Sequence, residues 1–142
     1  MKTKQVSVFL ENKSGRLNEV AQILGNADIN ISAFTVADTS DFGVLRLIVS
    51  DPEKACEVLK ENRFSVRTTD VVLVNSPNRP GALSRMLQIL SAEGVFIEYL
   101  YAFSMDNDTA VIVIRPTDID KCVEKLENHK DDLLGKNGHY RL

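Results

Sequence analysis

Two stretches of the sequence carry a pattern that could do chemistry, Asn12-Lys13-Ser14-Gly15-Arg16-Leu17 and Asn78-Arg79-Pro80-Gly81-Ala82-Leu83. Each sets a polar loop and a glycine directly before a run with apolar residues at helical spacing. The first amides of a helix have no intrahelical partner and lie at its positive end, so a carboxylate is a natural guest there. Glycine lets such a guest come close to the backbone. Pro80 stiffens the approach and removes one competing donor. Asn78, like Asn30 in the segment Asp28-Ile29-Asn30-Ile31, offers both a carbonyl and an amide, which suits a zwitterion. Three or four charge-assisted hydrogen bonds at ~1.5–3 kcal/mol each, less the association cost, predict micromolar-to-millimolar binding, about −4 to −8 kcal/mol.

Other chemistries find less support. A net charge of −3 argues against a general nucleic-acid binder. An RNA-recognition motif would need aromatics on its central strands, and VSVFL, VLRLIV, VVLV and AVIVI supply only Phe9. Cys56 and Cys122 lie far apart in predicted helices and read as small core residues. His129 and His139 read as solvated residues at a helix end and in the tail. Asp106-Asn107-Asp108 resembles the start of a calcium loop but lacks the following glycine and the distal glutamate, so a hairpin turn is expected. An acylphosphatase-type hydrolase would need an arginine-bearing loop with a catalytic asparagine. The Arg79 loop imitates it loosely, but no second catalytic group accompanies it. No cofactor, metal or catalytic residue is therefore expected.

The elements that must position these loops repeat along the 142 residues. An offset of 66 pairs Val6 with Val72, Val8 with Val74, Asn12 with Asn78, Gly15 with Gly81 and Leu17 with Leu83. It also pairs Gln22-Ile23-Leu24 with Gln88-Ile89-Leu90, Ile31 with Ile97, Ile48 with Ile114 and Cys56 with Cys122. A single ungapped offset reads as a duplication. In the first copy a strand at Gln5–Leu10 precedes a helix with Leu17, Val20, Ala21 and Leu24 on one stripe, stopped by Gly25 and Asn26. Ile29–Ala37 is β-rich, Thr39-Ser40-Asp41 is a turn and Val44–Val49 is a central strand. Asp51-Pro52-Glu53 starts a helix with a cap, a proline and an acid, and Ala55, Val58 and Leu59 form its apolar face. Ser65–Thr69 closes this copy and runs into Val71–Val74.

The second copy repeats the order through a helix at Leu83–Ala92, a strand at Val95–Phe103, a strand at Ala110–Ile114 and a helix from Asp118 to about His129. A short last strand is expected around His139–Leu142. The prediction is α+β: two ferredoxin-like βαββαβ units with antiparallel sheets joined side by side, residues 1–70 and 71–142. Nothing approaches the ~18 apolar residues of a membrane span. MKTKQVSVFL reads as a strand and not a signal peptide, so a cytoplasmic location and reduced cysteines are expected.

Both ENKSGRLNEVAQILGNADINI and NSPNRPGALSRMLQILSAEGVFI resemble ACT domains, small regulatory modules that bind amino acids. The family pattern is a strand, a loop close to D/N-x-P-G-x-L, an amphipathic helix and a Gly-Ile-Asn-Ile-like start of the second strand. Asn78–Leu83 matches it closely, whereas the first loop has Ser14 in place of the proline. Asp28 replaces the strand-start glycine, and Phe96 replaces the asparagine in Gly94-Val95-Phe96-Ile97. The resemblance covers essentially the whole chain as two tandem copies.

It implies a ligand held between two units, by the glycine loop of one and the strand start of the other. Asn30 and Ile31 would then work with Asn78, Arg79, Pro80, Gly81, Ala82 and Leu83. A weaker second site would join Asn12, Ser14, Gly15 and Arg16 to Phe96. The implied function is a regulatory sensor of a small amino acid, a homodimer acting in trans on a metabolic enzyme or other partner, because the chain has no room for a catalytic domain. A small hydrolase of the same fold and a ligand-free scaffold are the alternatives.

Overall fold

The computed structural model of the chain describes residues 2–11, 13–38, 41–104 and 106–134. The first repeat runs β1 (Lys2–Glu11), α1 (Arg16–Asn26), β2 (Ile31–Asp38), β3 (Phe42–Val49), α2 (Pro52–Glu61) and β4 (Ser65–Pro77). The second continues with α3 (Ala82–Ala92), β5 (Ile97–Ser104), β6 (Thr109–Pro116), α4 (Ile119–Asn128) and α5 (Lys130–Leu134). The fold is α+β with ferredoxin-like order. The chain divides into two compact units, Lys4–Thr69 and Asp70–Leu142, the latter also taking in Met1–Thr3.

In the first unit the strand order is β2-β3-β1-β4. β3 runs antiparallel to β1, with Leu47 opposite Val6 and Leu45 opposite Val8. Alternation turns Val6, Val8, Leu10, Leu45, Leu47 and Val49 to one face. There they meet Val20 and Leu24 of α1 and Ala55 and Leu59 of α2 in one core. Each buried Val or Leu contributes about 1.5–3 kcal/mol. The second unit has the order β4-β6-β5, with Val72 opposite Ile114 and Val74 opposite Ile112. Its core adds Met86 and Leu90 of α3 and Cys122 and Leu126 of α4.

The helix that follows the central strand is started in the same way in both units. Asp51 Oδ1 accepts from Lys54 N at 3.1 Å, and Asp118 Oδ1 accepts from Lys121 N at 3.0 Å. Each cap satisfies one of the orphan amides of its helix start. The same two lysines then reach back, Lys54 Nζ to the Ala27 carbonyl at 2.8 Å and Lys121 Nζ to the Gly94 carbonyl at 3.3 Å. One residue type thus ties the start of each second helix to the end of the first.

Several expectations need correction. The repeat does not keep one offset: Gly81 follows Gly15 by 66 residues, but the cap Asp118 follows Asp51 by 67. The change falls between β2 and β3, because residues 39–41 connect that pair and residues 105–108 connect β5 and β6. Ile114 is therefore the counterpart of Leu47, not of Ile48, and Cys122 is the counterpart of Ala55, not of Cys56. Ala55 and Cys122 are both buried, whereas Cys56 is half-exposed. On α1, Leu17 and Ala21 are exposed, and only Val20 and Leu24 of the expected stripe are buried. Gly25 and Asn26 lie inside α1, and the reversal comes at Asp28, with φ 58°.

The two strands expected at the join form one, β4. The Asp106–Asp108 segment is a hairpin turn as expected: Asp106 Oδ1 accepts from Asp108 N at 2.8 Å and Thr109 N at 2.7 Å. The strand expected at His139–Leu142, part of the turn at residues 39 and 40, and Asn12 lie outside the described residues.

Candidate functional site

The glycine loops adopt one geometry. Gly15 has φ 87° and Gly81 has φ 88°, and each caps its helix without a side-chain hydrogen bond. A left-handed backbone at the cap is the reason for glycine at both positions. A Cβ added at either would meet no atom within 4 Å, so the space in front is open. In the second loop, Ala82 N donates to the Arg79 carbonyl at 3.2 Å and Arg85 N to the Gly81 carbonyl at 3.0 Å. Between them, the amides of Leu83 and Ser84 have no acceptor among the described residues. Asn78 N is anchored to the Asp108 carbonyl at 2.8 Å, which fixes the loop to the β5–β6 turn. Asn78, Arg79, Pro80 and Gly81 are exposed, Ala82 is half-buried, and Leu83 is exposed at the first turn of α3.

Charge separates the two loops. In the first, Lys13 Nζ lies 2.8 Å from Glu11 Oε2, and Arg16 Nη1 lies 3.0 Å from Glu19 Oε2. The hydrogen bond and charge of Lys13, helped by Arg16, hold the Glu11 carboxyl below its ordinary value. Arg16 also stacks over Phe64, its guanidinium 5.7 Å from the ring centre. Ser14 is exposed beside these pairs. In the second loop the positions of Glu11, Arg16 and Glu19 are taken by Pro77, Ala82 and Arg85. Arg79 makes no ion pair with any described residue. Both helix starts leave two amides unspent among the described residues, but the second adds a cation that no described carboxylate pairs, whereas the first is neutralised by its own acids.

The strand starts are tied by their backbones. Asn30 N donates to Ser50 Oγ at 3.0 Å, and Ser50 N donates back to the Asn30 carbonyl at 3.0 Å. The exposed Asn30 side chain is left without a partner among the described residues. Ile31 follows half-buried, packed against the core. In the second unit Thr117 N donates to the Phe96 carbonyl at 3.0 Å, and Phe96 is 74% exposed. Ser50 and Thr117 escaped the sequence reading. A hydroxyl residue directly before each helix-capping aspartate was the available signal.

Within one unit, the glycine loop and the strand start sit at opposite ends of the same helix. α1 and α3 are each 11 residues long, about 16 Å at the helical rise. Gly15 is therefore not brought to Asn30, nor Gly81 to Phe96.

The family described as an ACT domain pair matches residues 1–138. Among solved structures, protein BT0572 from Bacteroides thetaiotaomicron is similar at 56% identity, with 92% of this chain and 90% of that one covered and a TM-score of 0.88. The ligand-free regulatory subunit of aspartate kinase from Thermus thermophilus aligns at 14% identity over 88% of this chain and 91% of its own, with a TM-score of 0.65. Aspartate kinase from Clostridium acetobutylicum aligns at 16% identity over 92% of this chain and 34% of its own, with a TM-score of 0.55. These two likenesses show the fold. No curated protein matches the chain.

Proposed function

The chain belongs to the ACT domain pair family, and on that premise we propose that it binds a free amino acid and reports its level in trans to a metabolic enzyme or another partner. The observation that carries this reading is the start of α3. Gly81 opens the helix in a left-handed conformation without a side-chain cap, and the amides of Leu83 and Ser84 are unspent among the described residues. A carboxylate completes such a helix start by hydrogen bonding and by its charge at the positive end. Arg79, with no carboxylate of the described residues paired with it, adds a second attraction for an anion.

The residues assigned to the ligand are Asn30 and Ile31 at the start of β2 and Asn78 to Leu83 at the start of α3. The free side-chain amide of Asn30 supplies the carbonyl oxygen that an ammonium group needs. The first loop, Asn12, Ser14, Gly15 and Arg16, with Phe96, forms the weaker counterpart. Glu11 and Glu19 already occupy its cations, and Phe96 offers no polar atom on its side chain. The aspartate kinase of Thermus, with a regulatory subunit of this fold, supplies the pattern for regulation by a separate chain. We read this protein as a binding protein and not an enzyme, as a homodimer, and as cytoplasmic. Its two free cysteines favour a reducing compartment.

A thermal-shift screen of the twenty amino acids tests the reading. One or a few are expected to raise the melting temperature in a saturable way, and Asn30→Ala and Gly81→Asn are each expected to remove that shift. Asparagine tolerates the left-handed conformation, so Gly81→Asn keeps the fold while placing a side chain before the amides. If no amino acid stabilises the protein, the reading fails. If the shift survives both substitutions, the ligand lies elsewhere.

A further inference from the structure

His129 closes the C-terminal end of α4 and stands between two carboxylates from other helices. Its Nε2 lies 3.0 Å from Glu93 Oε1 at the end of α3, and its Nδ1 lies 3.4 Å from Asp132 Oδ2 on α5. A neutral imidazole has one donor and one acceptor, so one of these contacts would set lone pair against lone pair. Only the doubly protonated ring can donate to both acids. We propose that His129 is a pH-responsive latch that fastens α5 onto α3 when the ring carries its proton and loosens it when the proton leaves.

The charged groups around the ring agree with this role. From α3, Glu93 faces it directly, and Arg85 reaches the same Asp132 that faces the ring, donating through Nε to its carbonyl at 2.7 Å with Nη2 3.9 Å from its Oδ1. From α4, Lys125 Nζ lies 3.4 Å from Glu93 Oε2 and 3.6 Å from Glu124 Oε1, so it shares Glu93 with the histidine. From α5, Asp132 completes the set. Leu133 packs on the core of the unit. The hydrogen bond to Glu93, then that to Asp132, raises the His129 pKa above its ordinary value. The stabilisation is fully present below ~6.5, the unfolded value, and is lost as the pH rises through the raised folded value. Glu93 shifts in the complementary direction, lowered first by its bond to His129.

The duplication supplies an internal control. Asn62 occupies the corresponding place after α2, where its Nδ2 donates locally to the Val58 carbonyl at 2.7 Å. There the chain turns at Arg63 and passes into β4 without a further helix. The fold therefore needs neither a histidine nor a latch at this point. The second repeat adds both together, on the helix that Gly81 begins. The inference stands independently of the ligand reading.

Two measurements on the intact chain test it. A histidine-ring NMR titration is expected to show a signal, absent in His129→Asn, whose midpoint lies above ~6.5. Glu93→Gln and Asp132→Asn are each expected to lower that midpoint. Asp132 N and Leu133 N donate to the His129 carbonyl at 3.0 and 3.1 Å. Their exchange protection, corrected for the intrinsic base-catalysed rate, is expected to fall as the pH rises through the midpoint and to lose this step in His129→Asn. A midpoint at or below the ordinary value, one insensitive to both carboxylate substitutions, or protection unchanged across it overturns the proposal.

Discussion

Asp28 and Gly94 reverse the chain in the same left-handed conformation, with φ of 58° and 71°, at the exits of α1 and α3. Glycine adopts it without strain, and aspartate is among the residues that tolerate it. Gly94→Ala is expected to destabilise the protein by about 1–2 kcal/mol. The new Cβ would also lie 3.3 Å from Lys121 Nζ, a flexible chain end that can give way. Asp28→Gly is expected to be nearly neutral, because relief of about 1 kcal/mol is offset by ~0.4–1 kcal/mol of added freedom in the unfolded chain. Urea unfolding of both variants reads the difference.

The two cysteines should react in order. Burial pushes the Cys122 thiol up to about 11, while Cys56, also raised by burial, is half-exposed at the margin of the first core. The thiolate is the reactive form, so Cys122 is both inaccessible and protonated at neutral pH. Labelling of the folded protein with a thiol reagent, read by mass spectrometry, is expected to modify Cys56 first. Cys122 should be labelled only on unfolding. Equal rates would contradict the placement of Cys122 in the core.

Leucines at the two ends of α1 should differ sharply. Leu24 is fully buried and Leu17 is 48% exposed, a contrast repeated by Leu90 and Leu83. Leu24→Ala and Leu90→Ala are expected to cost about 2–5 kcal/mol each. Leu17→Ala and Leu83→Ala are expected to stay within about 0.5 kcal/mol. Denaturation midpoints of the four variants decide the matter.

The fold was legible wherever local chemistry and periodicity agreed. Alternation marked β1, a continuous apolar run broken only by Arg46 marked β3, and Asp-Pro-Glu marked α2 with its cap in place. The Asn-Arg-Pro-Gly run marked the start of α3, because a glycine cap with a stiff approach leaves a signature in four residues. Helical spacing alone misled at Leu17 and Ala21: it shows which residues share a stripe but not how far a neighbouring layer extends over it. The one-residue change in register passed unseen because Ile48 on Ile114 and Cys56 on Cys122 are chance identities. They concealed the true counterparts, Leu47 and Ala55. Contacts across the chain were the least accessible. Nothing near His129 in sequence points to Glu93, which lies 36 residues away, and Lys54 gives no sign that it reaches Ala27.

The longer turn between β5 and β6 has a practical consequence for anyone wishing to transplant one half onto the other. Up to the end of the second strand of each half, the segments match residue for residue, so a chimera cut before the turn needs no change in length. Past that point every graft must carry its own turn, or the following strand is displaced by one position and turns its apolar face outward. The hairpin is the natural seam along which the two ancestral copies can be recombined.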